Sequence, residues 1–208
     1  SIFQSRWIRR VRPTTWPDSS NPYGQTKYMI ETFLKDMVIS QQQPNLSVVI
    51  LRYFNPVGSD ESGLIGESPL GVPANLMPFV AQVACGNRKE VNVYGNDYDT
   101  KDGTGVRDYI HVVDLADGHV ASIKKLDEPG VHVYNLGTGV GYSVIEMIKA
   151  FEKASNKTIK YVFKDRRKGD LGEVFCDASK ARNELNWVAR FNLDRMCQDL
   201  WRWQSKNP

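Results

Sequence analysis

Leu46-Ser47-Val48-Val49-Ile50-Leu51-Arg52-Tyr53-Phe54 is an almost unbroken run of aliphatic, β-branched and aromatic residues, entered through the turn-forming Gln43-Pro44-Asn45. Such a run reads as a strand, and its lack of polar alternation reads as one covered on both faces of a parallel sheet. Upstream, Ile30, Phe33, Leu34, Met37 and Val38 recur at helical spacing, after N-cap candidates between Asp18 and Asn21 and with Pro22 in the first turn. Downstream, a Pro- and Gly-rich loop (Asn55 to Pro73) leads to a helix over Leu76–Cys85 and a short strand over Val91–Tyr94. Val106–Val113 reads as strand, Leu115–Leu126 as helix and Val131–Leu136 as strand. Ser143 and Glu146 form an S-x-x-E capping box opening a helix to Ser155. A strand at Ile159–Phe163, a polar loop over Lys164–Glu173 and helices near Ala178–Leu185 and Leu193–Gln204 complete the chain. This alternation predicts an α/β fold.

With 208 residues, 41% hydrophobic and 25% charged, the chain is large enough to bury a substantial core. No window approaches the roughly eighteen unbroken apolar residues of a membrane span, and the first residues lack a signal-peptide pattern, so cytosol is the expected location and no membrane partner is implied. A net charge of +3 gives no argument for nucleic acid, and the basic cluster Arg6, Arg9, Arg10 and Arg12 reads as a solvated tail. Cys85, Cys176 and Cys197 are far apart and flanked by apolar residues, which reads as reduced and structural. No clustering of His, Cys, Asp or Glu suggests a metal site, and His111 reads as a packed or hydrogen-bonded residue inside its strand.

Chemistry is concentrated at Tyr23-Gly24-Gln25-Thr26-Lys27. A tyrosine and a lysine four apart share a helix face and can reach a common point. A phenol ionises near pH 10 and is a poor base near neutrality until a neighbouring cation stabilises its phenolate. Lys27 can supply that cation and keeps donors for ribose hydroxyls, although by spacing alone a solvated i,i+4 pair is the commoner reading of Y-x-x-x-K. The stretch Gly137-Thr138-Gly139-Val140-Gly141, with Asp165 after the next strand, imitates a dinucleotide fingerprint. Its spacing is G-x-G-x-G, and too little chain follows it to build a nucleotide-binding half, so the glycines read as a tight loop before a capped helix.

Asn21-Pro22-Tyr23-Gly24-x-x-Lys27, Leu51-Arg52-Tyr53-Phe54-Asn55-Pro56, Asn75-Leu76-Met77-Pro78, Tyr94-Gly95-Asn96-Asp97-Tyr98, the run from Asp102 to Asp114, Tyr134-Asn135-Leu136-Gly137-Thr138-Gly139, Arg167-Lys168-Gly169-Asp170 and Trp201-Arg202-Trp203 occur in this order. From about Asn21 to its end the chain thereby resembles the UDP-galactose (UDP-glucose) 4-epimerases, extended short-chain dehydrogenases that use NAD. The resemblance implies the C-terminal part of a Rossmann-type parallel sheet plus a smaller α/β substrate-binding domain. Residues 1–20 are unmatched, 21–60 correspond to the NAD-binding domain, and 61–208 mainly to the UDP-sugar region. It implies Tyr23 as catalytic base, Lys27 as its partner on the nicotinamide ribose and Tyr53 on the cofactor side. Asn55, Asn75 and Leu76 match positions holding the sugar diphosphate, and Asn92 and Tyr94 the segment passing the uracil. Arg107 and Arg167 match diphosphate ligands, and Asp170 an acceptor for ribose hydroxyls. Forked guanidinium donors suit a pyrophosphate and a carboxylate suits a diol. The implied reaction passes the 4-hydroxyl proton to Tyr23 and the C4 hydride to NAD, turns the 4-keto sugar over about its diphosphate link, and returns the hydride to the other face. A homodimer, with the Tyr23 helix at its interface, is the implied assembly.

The chain also departs from the family. The Gly-x-x-Gly-x-x-Gly strand-loop-helix that cradles the NAD pyrophosphate does not occur in it. Neither Ser1 nor Ser5 matches the family's Ser or Thr that bonds the sugar 4-hydroxyl. The chain is accordingly expected to be the C-terminal part of a longer enzyme, inactive by itself, with the Tyr23 helix and strand 46–54 short of sheet neighbours. Val174 aligns with a position where a bulky tyrosine or a smaller residue is thought to gate N-acetylated sugars. Two alternatives are a truncated non-catalytic product and a nucleotide-sugar dehydratase or decarboxylase of the same superfamily.

Overall fold

The computed structural model describes residues 8–11, 22–40 and 42–207. Its strands are β1 (Ile8–Val11), β2 (Ser47–Tyr53), β3 (Asn55–Val57), β4 (Val91–Tyr94), β5 (Val106–His111), β6 (Gly130–Leu136), β7 (Gly141–Ser143), β8 (Tyr161–Lys164) and β9 (Glu173–Cys176). Helices α1 (Pro22–Ile39), α2 (Leu76–Ala84), α3 (Val112–Ser122), α4 (Val144–Ser155), α5 (Ser179–Leu185) and α6 (Leu193–Gln204) alternate with them, and a 3₁₀ turn over Ile123–Asp127 extends α3. One sheet runs β1-β9-β5-β3 in parallel, with β7 antiparallel to β5. β2 pairs in parallel with β6 from Ser47 opposite Gly130 to Tyr53 opposite Leu136, and β4 pairs in parallel with β8. Parallel pairs joined by helices are the α/β architecture that the alternation predicts.

β5 is the hinge of the arrangement. Side chains alternate across a strand, so Arg107 and Tyr109 face one side while Asp108 and Ile110 face the other. Tyr109 joins the larger core, where Met77, Val80, Ile148, Phe151 and Met196 pack α2, α4 and α6 together. Ile110 joins a second core with Leu115, Tyr134, Leu136, Leu185 and Trp187, between α3, α5 and β6. Asp108, fully buried, accepts from the Thr138 amide (3.0 Å), the Thr138 hydroxyl (2.6 Å), the Gly139 amide (2.8 Å) and the Cys176 amide (3.1 Å). That carboxylate is the reason for the glycine-rich turn. A Cβ on Gly137 would stand 2.7 Å from the Cys176 Cβ and 2.9 Å from Asp108 Oδ2.

The capping box forms as expected: the Ser143 hydroxyl accepts from the Glu146 amide and the Glu146 carboxylate accepts from the Ser143 amide, both at 3.0 Å. Pro78 is tolerated in α2 because it falls in the first turn, where amides have no intrahelical partner. His111 caps α3: its Nδ1 accepts from the Val113 amide at 3.1 Å. Nε2 therefore carries the proton and donates to buried Asp199 of α6 at 3.2 Å. Arg195 (2.6 Å) and Arg202 (2.8 Å) complete the partners of Asp199, tying the last helix to the β5–α3 junction. The three cysteines are free thiols, and Cys176 and Cys197 are buried; burial pushes Cys197 up to about 12.

Several expectations are corrected. The run 46–54 is not one strand covered on both faces. Only Ile50 is buried, and the chain changes partner at Phe54, whose amide donates to the Leu136 carbonyl before β3 crosses to β5. β2 has a sheet neighbour in β6. Of the five apolar positions read at helical spacing in α1, Ile30, Phe33 and Met37 are exposed and Leu34 and Val38 only half-buried, and the one buried residue is Glu31, whose carboxylate accepts from Arg52 of β2 at 2.7 and 2.6 Å. The strand read as 106–113 ends at His111, so α3 starts three residues earlier than read. The polar loop ends in a strand, β9, beside β1. Arg9 and Arg10 thus belong to β1 and not to a tail; Arg6, Arg12, Ser1, Ser5 and the N-cap candidates lie outside the described residues.

Candidate functional site

A cleft of about 500 Å³ opens between the first turn of α2, strands β4 and β5 and the loop before β9, a size typical of small-molecule sites. β5 contributes Arg107 and Tyr109, β4 contributes Asn92 and Tyr94, and Asn55 comes from the start of β3. Asn75 is the N-cap of α2, but its side chain makes no capping bond and so keeps its amide for the cleft. Leu76 follows in the first turn, where free backbone N–H groups and the helix dipole favour an anion. Arg167 and Asp170 close the opposite wall: Arg167 Nε donates to Asp170 Oδ2 at 2.9 Å, and its guanidinium lies 5.0 Å from the centre of the Tyr94 ring. Arg107 spends one donor on the Val106 carbonyl at 2.8 Å. Burial pushes the Tyr109 phenol up to about 12, so it is a neutral donor and not a base.

The cleft offers two guanidiniums and a helix N-terminus for a multiply charged anion, one carboxylate for hydroxyls and an aromatic ring for a planar group. All eight residues expected to hold substrate (Asn55, Asn75, Leu76, Asn92, Tyr94, Arg107, Arg167 and Asp170) line it, although 115 positions separate the first from the last. Sequence reading missed Phe79 and Tyr98, which also line it. Tyr98 sits inside the quoted Tyr94–Tyr98 stretch, and its signal was available; the Phe79 position carries none.

Tyr23, Lys27 and Tyr53 do not line the cleft. Tyr23 and Lys27 share the first two turns of α1, with the Lys27 ammonium 5.2 Å from the Tyr23 ring centre, and Tyr53 ends β2. Tyr23 and Tyr53 are 72% and 57% exposed, so both phenols are open to a bound group. Val174 is also off the cleft: it lies in β9, in register with Arg107. Among the described residues no group of His, Cys, Asp and Glu could hold a metal ion, and no helix is long and apolar enough to cross a membrane.

A family model described as GDP-mannose 4,6 dehydratase matches residues 10–200. The chain belongs to this family of extended short-chain dehydrogenases. Within the family it is similar to the UDP-glucose 4-epimerases of Bacillus subtilis (58% identical over 190 residues, 91% of this chain and 56% of the relative) and Homo sapiens (56% over 190 residues, 91% and 54%). The fold is similar to the crystal structure of UDP-glucose 4-epimerase from Bifidobacterium longum in complex with NAD+ and UDP, with a TM-score of 0.87 at 58% identity, over 90% of this chain and 56% of that one. The chain spans a little over half the length of these relatives. A parallel α/β fold in a family member means that side chains at the carboxyl ends of strands, such as Tyr53, and in the helical turns beside them are where ligands bind.

Proposed function

We propose that the chain is the nucleotide-sugar-binding part of an NAD-dependent UDP-glucose 4-epimerase, interconverting UDP-galactose and UDP-glucose. The observation that carries the reading is the single cleft in which the two guanidiniums of Arg107 and Arg167, the α2 N-terminus, Tyr94 and Asp170 converge. Those groups suit, in turn, a diphosphate, a base ring and a ribose diol. In this reading residues 21–60 belong to the NAD-binding domain and 61–208 mainly to the substrate side.

The nicotinamide end of NAD fits the donor set present: an ammonium beside a phenol on α1, and a second exposed phenol at the carboxyl end of β2. Lys27 would hold the ribose hydroxyls, with Tyr53 alongside. When bound, NAD takes up and returns the hydride of sugar C4. Lys27 stabilises the Tyr23 phenolate, and the phenolate oxygen accepts the proton of the sugar 4-hydroxyl and later gives it back. Arg107, Arg167 and the α2 amides anchor the diphosphate while Asp170 accepts from the ribose. A hexose held mainly through its nucleotide is free to turn, which inversion at C4 needs. The 56–58% identity to UDP-glucose 4-epimerases favours this reading over a dehydratase or decarboxylase of the same superfamily.

Three further parts of the reading are proposals. Free cysteines suit a reducing compartment, the cytosol. The exposed Ile30, Phe33 and Met37 of α1 suit a homodimer interface, checked by light scattering of wild type against Phe33→Glu. The small Val174 suits acceptance of UDP-N-acetylhexosamines; turnover of UDP-galactose with none of UDP-N-acetylgalactosamine refutes it.

The deciding experiment measures UDP-glucose formed from UDP-galactose with NAD added, for the 208-residue chain and for the chain extended by a glycine-fingerprint half. Activity in the extended protein that Tyr23→Phe abolishes is the expected result. Activity surviving Tyr23→Phe would sink the mechanism. Calorimetry of the chain with UDP, expected to show binding weakened by Arg107→Ala, tests the cleft separately.

A further inference from the structure

We infer that the hydroxyl of Tyr98 is an additional ligand contact of the cleft, donating a hydrogen bond to a phosphate oxygen of a bound nucleoside diphosphate. The inference rests on the reading of the cleft as a nucleoside diphosphate site. Tyr98 is 5% exposed and lines the cleft, and its Oη is fully buried with no hydrogen-bond partner among the described residues. A buried hydroxyl left unsatisfied is unfavourable and calls for an explanation.

The side chain cannot easily turn to find a partner. Its ring is covered by the Arg166 guanidinium at 4.1 Å, and Arg166 is itself fixed by a 2.6 Å bond from its Nε to Asp97 Oδ1. The Cε2 edge of the ring abuts Gly95, where φ is +82° and a Cβ would stand 2.5 Å from Tyr98 Cε2 and 2.9 Å from Arg166 Cγ. The backbone is held as well: the Tyr98 amide donates to the Gly103 carbonyl at 2.9 Å. The residue is held on several sides, and the one polar atom of its side chain has no partner among the described residues.

The charges around it indicate what is absent. Burial first, then the Asp170 carboxylate, push the Tyr98 phenol up, while Arg166, Arg107 and Arg167 pull it down, so all four charges act on it. The hydroxyl stays protonated and is a donor in need of an acceptor. The one carboxylate among these neighbours is already engaged by Arg167. Arg107 and Arg167 are also the residues read as diphosphate ligands. An anionic oxygen held by these two guanidiniums lies in the same cleft that Tyr98 lines, where the Tyr98 hydroxyl can donate to it. A ring serving only as packing would need no oxygen, and phenylalanine would do as well.

Tyr98→Phe removes that oxygen and keeps the ring under Arg166. Thermal unfolding of the 208-residue chain without ligand is expected to be unchanged or slightly raised; a clear fall means that the hydroxyl has a partner in the free protein and overturns the inference. Calorimetry with UDP is expected to show Kd raised about tenfold, the loss of one hydrogen bond to a charged oxygen; an unchanged Kd overturns it. Uridine is expected to bind both proteins alike, and an equal loss with uridine moves the contact to the nucleoside and refutes the phosphate assignment. Arg107→Ala separates the two levels. UDP binding lost in Arg107→Ala but kept in Tyr98→Phe refutes the Tyr98 contact alone, whereas wild type that binds no UDP refutes the cleft reading and this inference with it.

Discussion

Replacing Asp108 by Asn keeps the shape of the side chain and exchanges one oxygen for an amide nitrogen, which cannot accept a hydrogen bond. Oδ1 serves the Thr138 amide and hydroxyl, and Oδ2 serves the Gly139 and Cys176 amides. The less costly orientation points the new NH₂ at Thr138, whose hydroxyl can rotate to accept from it. The Thr138 amide is then orphaned at about 1–3 kcal/mol, and the Gly139 and Cys176 bonds change from charge-assisted to neutral, about 1 kcal/mol each. Relief from burying a charge offsets part of this, which leaves a net loss of about 3 kcal/mol. For a chain of this size that is a fall in Tm of roughly 6–12 °C. Urea titration followed by tryptophan fluorescence measures it, with the same slope in both proteins. The cleft is predicted to suffer too, because Asp108 lies between Arg107 and Tyr109, so UDP affinity should fall with stability. An Asn variant within about 0.5 kcal/mol of wild type, below the cost of even one lost bond, would show that the carboxylate is not what holds the glycine turn.

Glu31→Ala removes the carboxylate that accepts two bonds from Arg52; a loss of about 2 kcal/mol in chemical denaturation is expected, the scale of a hydrogen bond to a charged group, and a loss below about 1 kcal/mol would place the pair among solvent-screened bridges. Gly118→Ala should destabilise although alanine is the better helix former by about 1 kcal/mol, because the new Cβ would stand 2.8 Å from Leu136 Cδ1; a Tm above wild type contradicts that packing. For His111, burial lowers the pKa from 6.5 against the pull of Asp199. The unfolded chain therefore binds a proton before the native one does, so stability is complete above about pH 6.5 and declines as pH falls through the lower native value. His111→Gln should flatten that decline in denaturation curves taken from about pH 7.5 to 5.5, and a wild type more stable at the acid end would reverse the sign.

The local parts of this protein were legible in the sequence. Periodicity and caps gave the α/β alternation, and Ser143 with Glu146 located the start of α4, because capping is settled within four residues. The cleft was legible through five of the family motifs, which between them carry Asn55, Asn75, Leu76, Tyr94, Arg107, Arg167 and Asp170, whereas Asn92 lies in none of them. The partner change at Phe54 was not, and neither were β1 and β9, because a strand's choice of neighbour is made by residues far along the chain: 55–57 reach β5, and 8–11 reach 173–176. Nor could helical spacing show that α1 buries Glu31 while Phe33 stays exposed; that depends on Arg52 waiting on β2. The sequence by itself determined which residue types are available to the cleft and in what order. Only the tertiary structure decided that β5 turns Arg107 into the cleft and Asp108 into the glycine turn, and that the Tyr98 hydroxyl is closed in beside the charges of the cleft without a partner, because burial and pairing of polar groups are properties of the packed chain and not of any one segment.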